Sequence, residues 1–233
     1  MYAFLQPELG HIGRFQKGTN NVLRFIISDI EGIKTIIKLV HGKLRTPKNI
    51  RFNLLIEFMN AKYNLSIPKS ELDMSPILSN SWFAGFVESD GYFGVKISSF
   101  LPKSETRKRS RSENIQILFR LNQRAFDTPN DATMLPIMEI LASVLNCSLL
   151  SHKYKTLNPD ISKEALSVTV TSPAELSILI DYFNKYPLLG TKGKDFKDWE
   201  KIHSLIMSKE HLTESGKTLI KTIESNMNSK RYK

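Results

Sequence analysis

The sequence predicts a mixed α+β fold. Its body is a four-stranded antiparallel sheet with helices on one face, in an α-β-β-α-β-β-α repeat, and a partial ββα half repeat precedes it. Three observations carry this reading. At Gly91 the apolar pattern changes from helical spacing to strict alternation. Two pairs of alternating segments, 92–98 with 114–124 and 148–155 with 165–172, are each joined by polar chain and read as hairpins. Finally, strand, turn, strand, helix, break, helix describes both 11–60 and 148–208. The breaks read Leu44-Arg45-Thr46-Pro47-Lys48 and Leu189-Gly190-Thr191-Lys192, a weak internal repeat.

Taken in order, residues 1–9 read as the tail of a helix stopped at Gly10. Residues 11–17 and 22–28 are strands about the turn Gly18-Thr19-Asn20-Asn21, with Leu23, Phe25 and Ile27 on one face and Arg24 and Ser28 on the other. Helical spacing follows at Ile30, Ile33, Ile36, Ile37 and Val40, and again over 49–60 at Phe52, Leu55, Ile56 and Met59. Residues 61–79, with Pro68 and Pro76, read as a linker. The expected organisation is therefore an incomplete first half at 1–60, the linker, a complete repeat at 80–212 and a basic C-terminal helix or tail at 213–233.

The complete repeat opens with a helix over 78–90, closed by Gly91 as a left-handed terminator. Phe93, Val95 and Ile97 then face inward, with Tyr92, Lys96 and Ser98 outward. Ile115, Ile117, Phe119 and Leu121 do the same on the next strand. Residues 132–145 are an amphipathic helix, Pro173 opens another as a first-turn proline, and 195–208 resumes it after the break at 187–194.

Charge narrows the function. The chain has 33 Lys and Arg against 23 Asp and Glu, a formal +10 with pI about 9.6, which points to a polyanionic partner. Cys147 is the one cysteine, which excludes an intrachain disulfide and cysteine-rich zinc motifs. No apolar run reaches the roughly 18–20 residues of a membrane span, so no membrane partner is expected. Residues 1–18 lack the marks of a signal or transit peptide. His11, His41, His152, His203 and His211 are too scattered for a metal triad.

The helix over 78–90 concentrates the chemistry. Ser81, Gly85 and Ser89 recur every fourth residue on one line, where small side chains let a second helix approach closely. Glu88 and Asp90 occupy the last turn, where the helix dipole disfavours carboxylates by roughly 0.3–1 kcal/mol each. A carboxylate beside a negative helix end is a seat for a hard divalent cation.

Phe83-Ala84-Gly85-Phe86-Val87-Glu88-Ser89-Asp90-Gly91 resembles, position for position, the signature of the LAGLIDADG homing endonuclease and maturase family. The resemblance extends over 80–210, with 1–60 as a partial half. It implies two such helices packed at the centre of a pseudo-twofold protein, with Asp90, beside Ser89, holding Mg²⁺ or another divalent cation. It implies site-specific, metal-dependent cleavage of double-stranded DNA, with Gln123 and Lys192 in the catalytic pocket by position. Lys194 is a neighbouring rival, and Lys48 is the first-half counterpart. The alternatives it carries are a maturase that binds intron RNA and assists splicing, or a non-catalytic DNA-binding relic. Organelle encoding, in a mitochondrion, is also implied. One signature helix supplies one acid where the family brings two, which leaves open a homodimer, an upstream-fused first half or a degenerate protein.

The sheet's other face is then the surface for a duplex. Lys96, Ser98, Gln116, Arg120, Asn122, Lys153, Lys155, Ser167 and Thr169 are expected there, suited to base edges and phosphates. Arg14, Lys17 and Arg24 extend it in the first half. The loop bearing Lys103, Arg107, Lys108, Arg109 and Arg111 projects beyond the sheet to grip backbone.

Overall fold

The computed structural model describes residues 5–19, 22–128, 131–155 and 162–232. They fall into two units, Met1–Ser75 with Asp127–Ala132, and Pro76–Phe126 with Thr133–Lys233.

In the first unit a one-turn helix α1 (Leu5–Glu8) leads to a hairpin of β1 (Arg14–Lys17) and β2 (Leu23–Ile26), followed by α2 (Ile30–Val40) and α3 (Lys48–Tyr63). Asp29 starts α2 as an N-cap, its carboxylate accepting from the Gly32 amide at 2.6 Å. Ile37, Phe52, Ile56 and Met59 form the core. The hairpin register pairs Gln16 with Arg24 and Lys17 with Leu23. Arg14 and Arg24 therefore share a face, while Lys17 alternates onto the side of Leu23 and Phe25, and its expected place beside the two arginines is corrected.

Chain 64–75, expected as a linker, is tied down along its length. Asn53 brackets Ser70, its amide donating to the carbonyl at 3.0 Å and its oxygen accepting from the Ser70 N–H at 2.7 Å. Asn60 brackets Ile67 in the same way at 2.9 and 3.0 Å. Arg45, almost wholly buried, pairs with Asp73 at 2.6 Å. Prolines and polar residues look like filler in sequence, but an asparagine amide satisfies an extended backbone as a neighbouring strand does.

The second unit begins with a 3-10 turn at Ile77–Ser79 and then α4 (Trp82–Asp90), so the helix expected from 78 starts later. β3 (Gly91–Ser98) and β4 (Asn114–Arg124) follow. In chain order two two-residue strands come next, β5 (Phe126–Asp127) and β6 (Ala132–Thr133), of which Asp127 and Ala132 are counted with the first unit, and then α5 (Leu135–Val144). The unit is completed by β7 (Leu149–Lys155), β8 (Ser162–Val170), α6 (Pro173–Lys185), α7 (Thr191–Met207) and α8 (Glu214–Glu224). The sheet has the order β3-β4-β8-β7, antiparallel throughout. Element order thus repeats, β1-β2-α2-α3 against β7-β8-α6-α7, as the two matching breaks predict.

One aromatic cluster holds the sheet to its helices. The ring of Phe93 on β3 lies 5.5–5.7 Å from those of Phe119, Phe183, Phe196 and Trp199, bringing together β4, α6 and α7. Each such ring, fully buried, contributes about 1.5–3 kcal/mol. Two tyrosines of α6 fix the start of α4. Tyr182 Oη accepts from the Ala84 amide at 3.0 Å and donates to the Asn80 carbonyl at 2.7 Å, and Tyr186 donates to the Ser79 carbonyl at 2.6 Å.

Gly91 is not left-handed. Its φ of −71° and ψ of 154° are extended, and β3 leaves α4 with no intervening turn. Glycine is required by crowding instead, because a Cβ there would lie 2.5 Å from Val87 Cγ1 and 2.8 Å from the Val87 carbonyl oxygen.

Two outcomes follow. Gly91→Ala should destabilise the second unit by about 1–3 kcal/mol in chemical denaturation, because Val87 and the helix end must shift. Burial raises the Asp73 carboxyl, but hydrogen bonds from Ser75 and the charge of Arg45 outweigh it and hold it below its ordinary value. A depressed carboxyl stabilises the fold above its unfolded value, roughly 3.9, and that contribution is lost as pH falls through the folded value. Thermal scans between about pH 5 and 2 should show this acid loss in the native protein and a shallower one in Asp73→Asn.

Candidate functional site

α4 has two unlike sides. Phe83, Ala84 and Val87 are buried in the core, whereas Ser81, Gly85 and Ser89 are exposed. A Cβ added at Gly85 would meet nothing within 4 Å. The side that rests on the sheet is large and apolar, and the side that faces away is small and bare.

At the foot of this helix Asp90 is exposed, and its Oδ2 accepts from the Ser89 hydroxyl at 2.8 Å. The same hydroxyl lies 3.0 Å from the Phe86 carbonyl. Ser89 therefore orients the Asp90 carboxylate while leaving it most of its acceptor capacity. Glu88 behaves differently. It follows Ala84 along the helix, about 200° around the axis from Asp90. Both its carboxylate oxygens are buried with no hydrogen-bond partner.

Gln123 keeps the parity of Phe119 and Leu121, so it continues the inward face of β4 past the apolar residues. Gly91 pairs with Leu121 at the end of the β3–β4 ladder, and Gln123, two residues beyond, pairs with Leu166 of β8. Its Nε2 is buried and has no partner. A buried donor left bare is a place for water or an anionic oxygen.

Lys192 lies half-buried in the first turn of α7. Lys194 is exposed and borders a separate hollow of about 480 Å³ with Phe183, Leu188, Phe196 and Arg231, so the two lysines have different surroundings. Lys48 is the exposed first residue of α3. No three His, Cys, Asp or Glu side chains converge on a metal position among the described residues. Asp90 still suits a hard, hydrated cation such as Mg²⁺, which takes one or two carboxylates and completes its shell with water and phosphate.

The outward face of the sheet is ordered in cross-strand rows. Tyr92, Arg120 and Thr169 make one, with Arg120 Nε donating to Thr169 Oγ1 at 3.3 Å. Lys96 faces Gln116, Ser98 faces Asn114, and Asn122, Ser167 and Leu150 make another row. Ser167 keeps its expected outward parity but is only 6% exposed, sunk between its neighbours, and two expected members are corrected. Lys153 pairs with Glu164 and so shares the inward parity of Leu166, as does Lys155 two residues on. Charge suggested those lysines, but alternation decides the face. Tyr92 lies outward as expected, whereas the β7 residues on the outward face are Leu150, His152 and Tyr154, which together with Lys163 the sequence did not single out. Counting parity across the hairpin from Arg120 would have found them.

The basic loop is a ladder rather than a free excursion. Leu101 exchanges backbone hydrogen bonds with Arg111 at 2.9 and 2.8 Å, and Ser104 with Arg107 at 3.1 and 3.0 Å. Lys103, Lys108, Arg109 and Arg111 are exposed on this extension, while half-buried Arg107 donates to the Pro102 carbonyl at 3.3 Å. No helix among the described residues is long and apolar enough to cross a membrane.

Known proteins share this arrangement. The "Intron-encoded DNA endonuclease aI3" of Saccharomyces cerevisiae is 27% identical over 82% of this chain and 50% of its own length. The "Probable intron-encoded endonuclease 4" of Neurospora crassa is 28% identical over 98% of this chain and 38% of its own length. The chain thus spans half or less of these two relatives. Among solved structures, the I-SmaMI LAGLIDADG homing endonuclease bound to cleaved DNA superposes with a TM-score of 0.71 at 25% identity, covering 97% of this chain and 81% of that one. I-LtrWI, a LAGLIDADG homing endonuclease bound to target DNA, shares the fold with a TM-score of 0.69 at 24% identity. The family model described as LAGLIDADG endonuclease matches residues 83–203, from the first residue of the signature to the later turns of α7. With just over half of its length matched, and with the signature placed as a helix running directly into the sheet, the chain belongs to the LAGLIDADG endonuclease family.

Proposed function

We propose that this chain takes part in site-specific hydrolysis of double-stranded DNA as an intron-encoded homing endonuclease, of mitochondrial origin. The observation that carries the reading is Asp90. It is an exposed carboxylate at the end of a helix with a bare small-residue line, one residue before a sheet whose outer face is polar.

The outer face docks on the duplex. Tyr92, Lys96, Gln116, Arg120 and Asn122 meet base edges and phosphates, and the basic extension at 101–111 follows the backbone. Bound Mg²⁺, or a similar cation, supplies a more acidic water and neutralises charge on the leaving oxygen. The chain's own groups do the rest. Asp90 would hold the cation chiefly through Oδ1, while the Ser89 hydroxyl on Oδ2 orients the carboxylate. The unsatisfied Gln123 amide orients water or a phosphate oxygen. The Lys192 ammonium offsets negative charge that builds at the phosphate. The line Ser81-Gly85-Ser89 is the seat for a second signature helix, from another copy of the chain or from an upstream half, which brings the second acid.

Asp90→Asn should lower cleavage of the target duplex on the order of 10²–10³-fold and leave its Kd within about threefold. A full-rate Asn variant contradicts the assignment. Replacing Lys103, Arg107, Arg109 and Arg111 with alanine should weaken binding on all sequences alike. It should also reduce the slope of log Kd against log salt by about one for each phosphate no longer neutralised, measured by titration from about 50 to 200 mM salt. An unchanged slope removes the extension from the interface.

A further inference from the structure

The C-terminal segment after α8 makes bonds that the proposed chemistry does not use. Asn228 has φ of +54°, in the left-handed region that asparagine tolerates. Its backbone N–H donates to Asp195 Oδ1 at 2.9 Å, and its side-chain Nδ2 donates to the Phe93 carbonyl at 3.0 Å. Asp195 is 5% exposed and lies one turn after Lys192 in α7. Phe93 lies three residues after Asp90, in β3. One residue therefore bonds both to the strand that Asp90 feeds and to the helix that carries Lys192.

The joint is reinforced. Arg231 donates to Asp195 Oδ1 through Nε at 3.1 Å and through a terminal nitrogen at 2.9 Å, and that nitrogen also reaches Asp198 Oδ2 at 2.6 Å. A buried carboxylate is costly unless paired, so Asp195 needs these donors. Met227, at 1% exposure, anchors the segment in the core beside the joint. Side chains at 90 and 192 come from chain about 100 residues apart. The Phe93 ring packs β3 on Phe196 and Trp199 of α7, loosely in direction, and the Asn228 joint adds directed hydrogen bonds between the same two elements. Fixed separation matters, because a misplacement of about 1 Å costs catalysis on the order of 10²-fold.

We propose that Asn228 is a positioning residue: it ties the start of β3 to the first turns of α7 and so sets the distance between Asp90 and Lys192. The role given to Lys192 rests on the function proposed above, so the test has a readout that does not depend on cleavage. Asn228→Gly keeps the positive φ and the N–H to Asp195 but deletes the bond to Phe93. Hydrogen exchange on the full chain should show faster exchange at the amides of 195–198, whose helical bonds reach back to 191–194, and at 92–94, with β4, β8 and α6 unchanged. Single-turnover cleavage should fall roughly 10- to 100-fold with duplex Kd, measured without divalent cation, within twofold. Asp195→Asn, which weakens the other arm, should act in the same direction. Unchanged exchange at 195–198 overturns the proposal. So does a loosening spread evenly over the unit, or a loss of affinity in step with rate, since either marks a merely structural residue. Lys192→Ala separates the two readings: full-rate cleavage by that variant removes Lys192 from the site, and the exchange result then decides the tie by itself.

Discussion

The constraint on which the second unit depends is the absence of a turn between α4 and β3. Because the strand begins where the helix ends, the direction of one dictates that of the other, and Asp90 at the junction has little freedom. Three things enforce it. Gly91 gives way where a Cβ would collide with Val87. Phe83 and Val87 bury the inner side of the helix completely. The Tyr182 hydroxyl holds the helix start through two backbone groups. The cost of placing an acid against a negative helix end is a few tenths of a kcal/mol to about 1 kcal/mol, small beside the burial that holds the helix there.

From that junction the division of labour follows from alternation. Inward positions of β3, β4 and β8 build the aromatic and aliphatic core that clamps α6 and α7, which leaves most outward positions, Gly94 and Ser167 apart, free of packing duties. Polar and basic side chains there carry no stability burden, so a binding surface can vary without unfolding the unit. Gln123 is the exception: it occupies an inward position past the end of the apolar run, where burial without a partner is tolerated only if something else satisfies it. The first unit repeats the same element order with a different closure, using asparagine brackets and the Arg45–Asp73 pair to pin an extended segment.

Local features were legible in the sequence. The signature helix, the strand after it, the alternation of β4 and the first-turn proline of α6 all depend on neighbours within a few residues, and the periods of 3.6 and 2 expose them. What was not legible depends on pairing between distant residues. The face of Lys153 is set by its register with Glu164, and the burial of Ser167 by strands on both sides. The tying of 64–75 to α3 needs Asn53 and Asn60 to meet Ser70 and Ile67 in space. The joint of Asn228, Asp195 and Arg231 spans residues 93 to 231 and leaves no periodic trace. Gly91 looks like a conformational glycine in sequence, whereas the reason for it is space.

On the function proposed above, the bare line on α4 is a seat for a second helix, and Asp90 acts only once that seat is filled. Gly85 tests it directly, because a side chain there meets open space within the chain. Gly85→Leu should fold at least as well as the native protein, since leucine is favoured over glycine in a helix by roughly 0.5–1 kcal/mol. Cleavage of the target duplex by that variant is the deciding measurement. The account predicts that it is lost while thermal stability is kept. Cleavage at the native rate would show that no helix packs against Ser81, Gly85 and Ser89, and would contradict it.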